Sequence, residues 1–199
     1  LFYSTTTSNY VTSRGVIGTL TPNGFEWSET VGIQAHALTS EYDGSGIERA
    51  YHGDKDGYVY LHESGNFFNP AGAEVAINAV YTTPFFDFGD VGTKKTLKYV
   101  KTSLSPEGEV SPYLRLRYDF ENTDTPQPED YLLENIQFPA AFGVAVFGTA
   151  TFGATKDPMV RQPVEGSGNT VNFTIYTNTI SAPYSINGLY IDYMPSGRR

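Results

Sequence analysis

Residues Ile47–Gly65 read IERAYHGDKDGYVYLHESG, and this stretch decides the fold class. Two short runs rich in Tyr and Val flank Asp54-Lys55-Asp56-Gly57. A tight hairpin loop needs a residue with positive φ, which Gly57 supplies, and the Asp side chains can bond their own backbone. Side chains alternate across a strand. Tyr58, Tyr60 and His62 therefore share one face of the return strand, and Val59, Leu61 and Glu63 the other. Ser64-Gly65-Asn66 turns the chain again. A short hairpin with polar turns at both ends is the sequence signature of a β-propeller blade. One blade does not close a propeller, and the sequence opens at Leu1 rather than Met, so an upstream part is expected to be missing.

The same style continues on either side. Asn9–Ser13, Val16–Leu20, Gly24–Glu29, Gln34–Thr39, Glu48–Tyr51 and Tyr58–Glu63 read as short strands. Thr21-Pro22-Asn23-Gly24 and Asp43-Gly44-Ser45-Gly46 read as the turns between them. From Val75 the strands lengthen. In Val75–Tyr81 the odd positions form a predominantly apolar face; in Leu114–Phe120 one face is Leu/Leu/Tyr/Phe and the other Arg/Arg/Asp. That is the pattern of a half-buried strand. Val171–Ile175 and Ser185–Met194 repeat it. The one segment with helical character is Pro128–Asn135, with acids in its first turn. The expected fold is all-β: a terminal, incomplete β-propeller-like region over 1–71, followed by an antiparallel β-sandwich over 72–199, joined at Asn69-Pro70-Ala71-Gly72.

Composition narrows the function classes. Twenty-two acidic against 13 basic side chains give a net charge of −9, which argues against a general nucleic-acid-binding surface. The dense basic spots are Lys94-Lys95 with Lys98 and Lys101, Arg115/Arg117 and Arg198-Arg199, read as solvated strand faces. The absence of cysteine excludes disulfides and thiolate metal sites. No run of about 18 apolar residues occurs, so no membrane-spanning helix is expected. Fifteen Tyr and 13 Phe suit strands and interfaces.

Phe142, Phe147 and Phe152 are each followed by Gly in FGVAV-FGTAT-FGA. A spacing of five turns Phe147 away from the other two on a regular strand. The segment is then either a bent core strand pair or an apolar arm on a neighbouring subunit, and the three rings are the candidate subunit interface. His52 and His62, with Asp54 and Asp56, are the nearest approach to a metal site, but spacing fixes no third ligand. Asp54-Lys55-Asp56-Gly57 begins like a calcium loop and then has Gly65 where a bidentate Glu is required. Gly166-Ser167-Gly168 lacks the strand-to-helix setting of a nucleophile elbow and reads as a flexible turn. The acids cluster in turns, where solvated charge is the default. No catalytic residue, metal or cofactor is expected.

Several motifs in order resemble the C-terminal part of a tail hub or nozzle (packaged-DNA stabilisation) protein of short-tailed bacteriophages. They are Gly24–Glu29 (GFEWSE), Tyr51-His52-Gly53 with Asp56–Tyr60, Thr83–Asp90 (TPFFDFGD), Leu114–Asp119, Arg161–Gly168 (RQPVEGSG), Gly188–Tyr193 and Ser196–Arg199. The resemblance implies a propeller followed by a β-sandwich and a ring of identical subunits below the portal. The implied partners are other copies of the chain, portal or adaptor and other tail proteins, and genomic DNA that crosses the lumen without specific binding. The implied location is the virion. The expectation from a different class is a carbohydrate-binding or receptor-binding β-sandwich module of a tail fibre, which would need coplanar aromatics in one open groove.

Overall fold

The computed structural model describes residues 2–4, 14–68, 72–108, 110–133 and 159–198. The protein is all-β, built from antiparallel sheets. The chain divides into two compact units, Leu1–Ile77 and Asn78–Arg199.

The first unit holds two three-stranded sheets. Strands β1 (Phe2–Ser4), β2 (Arg14–Thr21) and β3 (Gly24–Val31) lie in that order. Strands β4 (Ala37–Tyr42), β5 (Glu48–Gly53) and β6 (Val59–Leu61) form the second sheet. Among the described residues these sheets do not close a propeller. The turns on either side of β5 are built alike. Asp43 Oδ1 accepts from the amides of Ser45 and Ile47, and Asp54 Oδ1 from those of Asp56 and Tyr58, all at 2.9–3.0 Å. Each turn then closes on a glycine in the left-handed region, Gly46 at φ +76° and Gly57 at φ +89°. One carboxylate thus satisfies two amides that would otherwise lack partners.

The second unit is a two-sheet sandwich. One sheet orders β10 (Tyr131–Leu132), β9 (Tyr113–Tyr118), β13 (Val171–Thr179) and β7 (Ile77–Thr82). In the other, the long strand β8 (Thr93–Pro106) pairs with β14 (Tyr184–Arg198) on one edge, and with β11 (Met159–Pro163) and β12 (Ser167–Gly168) in tandem on the other. Leu97, Val100 and Leu104 of β8 pack against Leu114, Leu116 and Tyr118 of β9 and Val171, Phe173 and Ile175 of β13, each no more than 1% exposed. Burying such side chains is worth roughly 1.5–3 kcal/mol each.

Four expectations change. The Leu114–Phe120 strand ends at Tyr118, because Asp119, Phe120 and Glu121 adopt φ of +49°, +57° and +61°. Phe120 consequently leaves the core face, packs with its ring tilted against Phe85 at 4.4 Å and is 71% exposed. Asp119 holds this turn: its Oδ1 accepts from the amides of Asn169 and Thr170 at 2.7 and 3.0 Å. Val171–Ile175 is buried on both faces rather than half-wet: on the outer side Asn172 and Thr174 lie beside the longer Arg117 and Arg115, and they bond Thr83 O and Thr82 Oγ1. Tyr131–Leu132, within the expected helix Pro128–Asn135, is a strand paired with β9; the Arg115–Asp130 ion pair on the same sheet fixes the approach of that segment. Ser167-Gly168 is a short strand on β8, not a flexible turn. The two flanking glycines make room for the Tyr118 ring: a Cβ at Gly166 or Gly168 would come within 3 Å of it.

Candidate functional site

Every buried apolar side chain among the described residues lies in the second unit. In the first unit the buried residues are polar: Gln34, His52 and Asp54. Among the described residues the apolar strand side chains of the first unit are not buried, and β2 and β3 display them. Gly18 pairs with Trp27 and Leu20 with Phe25, which places Trp27, Phe25 and Leu20 on one face of the hairpin. They are 62%, 61% and 73% exposed. The Phe25 and Trp27 rings stack at 5.8 Å with 27° between their planes. Trp27 lies flat over Gly18, where an added Cβ would meet the ring at 2.8 Å. Arg14 and Glu29, ion-paired at 2.9 Å, leave the far end of this face neutral.

The residues singled out on the hairpin do come together. His52 Nδ1 and His62 Nε2 lie 2.9 Å apart, and the His52 ring stacks on Tyr60 at 4.8 Å. Tyr60 donates to Asp54 Oδ2 at 3.1 Å and packs on Phe68 at 5.4 Å. Burial and the neighbouring His62 push the His52 imidazole down to about 4, against the pull of Asp54; burial lowers His62 as well, against Glu63. A pair held neutral in this way is a packing unit. Among the described residues no group of three or more His, Asp or Glu is placed to hold a metal ion. Asp56 pairs with Lys55.

The wet face of the β9–β13 sheet carries a third cluster. Arg115 grips Asp130 with two nitrogens at 2.7–3.0 Å, Tyr176 donates to the same carboxylate at 2.6 Å, and Arg117 approaches at 3.5 Å. The Arg115 hydrogen bonds hold Asp130 below the usual carboxylate range. Tyr113 stacks on Tyr176 at 5.3 Å, and the Arg115 guanidinium lies 4.9 Å from the Tyr176 ring. Every group has a partner within the sheet, so this is a strut and not an open site.

The candidate interface residues Phe142, Phe147 and Phe152 lie outside the described residues, as does the expected strand Asn9–Ser13. The exposed face of β2–β3 went unread in the sequence. Its signal was the i, i+2 pair Phe25/Trp27, visible as a face only once the register with Leu20 and Gly18 is known. No helix of the described residues is long and apolar enough to cross a membrane. Comparison with protein-family models and with curated proteins finds no match to the chain.

Proposed function

We propose that the chain is a structural subunit of a bacteriophage tail, of the hub or nozzle type. It assembles with further copies of itself into a ring below the portal, meets portal or adaptor and other tail proteins, and forms part of the channel through which genomic DNA passes. It acts in the virion by contact and catalyses no reaction. The observation that supports this reading is the first unit's display of apolar strand residues, with no buried apolar side chain among its described residues.

Leu20, Phe25 and Trp27, at 73%, 61% and 62% exposure, leave roughly 400 Å² of apolar surface in water. That is the size of the largest apolar patch on an ordinary soluble protein, which is often a functional surface. Covering it yields on the order of 10 kcal/mol at about 25 cal/mol per Å². Association costs roughly 4–15 kcal/mol, so a single contact is marginal. A closed ring, in which each subunit meets two neighbours, doubles the contacts each subunit makes.

The carbohydrate-binding reading rests on the same pair of rings, since Phe25 and Trp27 are near-parallel and open. Measuring the mass of the purified chain by light scattering, with and without Trp27→Ser, separates the two. Assembly predicts an oligomer that falls to a lower mass in the variant. A monomer whose Trp27 fluorescence responds to an oligosaccharide at micromolar concentration would replace the ring with the sugar-binding module.

A further inference from the structure

The strands β8, β11 and β14 hold Lys94, Lys95, Lys98, Lys101, Arg161 and Arg198 against one acid, Asp192. The chain as a whole has 22 acidic and 13 basic residues, and six of those 13 lie on these three strands. The sheet's inner face is the core. Its outer face takes the remaining side chains of β8, and the register shows which neighbours join them. Arg161 and Tyr190 both pair with Lys101, Asp192 with Tyr99, and Ser196 with Lys94, which puts these residues on the same side.

A bulge concentrates the charge further. The β14 register passes from Tyr99 to Leu97 and skips Lys98. Leu97 and Val100 are both buried while Lys98 is exposed and Tyr99 half-buried, so Lys98 and Tyr99 both project outward. Lys94 and Lys98 make no ion pair among the described residues. Lys101 bonds Asp192 at 3.1 Å, an exposed pair that contributes little and exchanges readily. Arg161 lies 3.8 Å over the Tyr99 ring, which holds the guanidinium flat while leaving its edge free to donate.

The geometry points to the outer face of β8–β11–β14 as a non-sequence-specific contact surface for the phosphate backbone of double-stranded DNA. Charge complementarity selects the polyanion. Lys94 to Lys101 spans roughly 23 Å at about 3.3 Å per residue, the length of about seven base-pair steps. The rings select the duplex over a single strand. Single-strand binders stack successive bases on open aromatic rings; here Tyr99 is capped by Arg161, which leaves Tyr190, 56% exposed, as the open ring of the face. The inference rests on the tail reading only for the source of the DNA.

The test is fluorescence anisotropy of a labelled 30-base-pair duplex with the full chain across 20–200 mM NaCl. Four cations give a slope of log Kobs on log[NaCl] near −3.6, so affinity should fall about 150-fold between 50 and 200 mM. The double variant Lys94→Gln/Lys98→Gln should fall only about 12-fold over the same range. Lys55→Gln, in the first unit's hairpin turn, should behave as the parent. No binding at 20 mM NaCl, an unchanged slope in the double variant, or tighter binding of the single strand than of the duplex each overturns the proposal. Binding by a protein that forms no ring would sink the tail-ring reading and leave this face standing. A ring that does not bind DNA would do the reverse.

Discussion

Lowering the pH from 7 to 5 should loosen the hairpin of β5 and β6. His52 is 3% exposed, and its Nδ1 lies 2.9 Å from His62 Nε2, so protonating the accepting ring removes that hydrogen bond, and protonating both sets two cations side by side. The groups facing the pair are Tyr60, Asp54 and Glu63; the two carboxylates offset only part of the effect. His52 is pushed from 6.5 to about 4 in the folded chain. Between those values the unfolded chain holds more protons, so stability is complete above 6.5 and falls as the pH drops toward 4. At pH 5 the linkage for this one group reaches about 2 kcal/mol, and solvent screening near the surface reduces it to about 1 kcal/mol. Asp43 and Asp130 are held below their usual 3.8, so their contributions are lost only at lower pH. Amide exchange of residues 48–62, followed by mass spectrometry and corrected for intrinsic rates, reads the opening equilibrium directly. Opening should rise about fivefold from pH 7 to pH 5. His52→Phe keeps a ring against Tyr60 but cannot titrate, and should remove the rise. An unchanged opening equilibrium, or the same rise in His52→Phe, would refute the reasoning.

Other substitutions probe separate parts of the account. Gly57 has φ +89° and open space where a Cβ would sit, so Gly57→Val should cost more than ~1 kcal/mol through backbone strain alone, read by exchange in the same hairpin. Phe173→Ala empties a position with 0% exposure and should lower global stability by about 3–5 kcal/mol in urea unfolding followed by circular dichroism. Asp119→Ala strips the acceptor from two amides and should cost about 2–4 kcal/mol, while Asp119→Asn, which keeps an oxygen and tolerates the left-handed region, should cost less than half of that. A fragment of residues 72–199 should unfold cooperatively on heating, and a fragment of 1–70 should not; a sharp transition in the latter contradicts the expectation that 1–70 does not fold on its own.

The fold class was legible because strand and turn signals are local. Asp54-Lys55-Asp56-Gly57 specifies its hairpin within five residues, and Asp43-Gly44-Ser45-Gly46 specifies the same device again. Alternation in Leu114–Tyr118 named the core face correctly, with Leu114, Leu116 and Tyr118 fully buried. It failed at Phe120, because the left-handed turn there is imposed by the amides of Asn169 and Thr170, some fifty residues away. Alternation also gave β7 an apolar face, yet its side chains are exposed, since its place at the sheet edge is set by pairing rather than by its own pattern. The two surfaces used here were hidden for the same reason. Lys94, Lys98 and Lys101 read as a solvated strand until the register adds Arg161 and the bulge turns Lys98 outward. Phe25 and Trp27 become one face with Leu20 only through pairing with β2.

The central claim is that this chain works by assembling with copies of itself, and electron microscopy of the purified full chain over a range of micromolar concentrations tests it most directly. The account predicts closed rings of one symmetry, with the Trp27 and Phe25 face of each subunit covered by its neighbour. Single, separate subunits at every concentration and in every tail particle that contains the chain would contradict it.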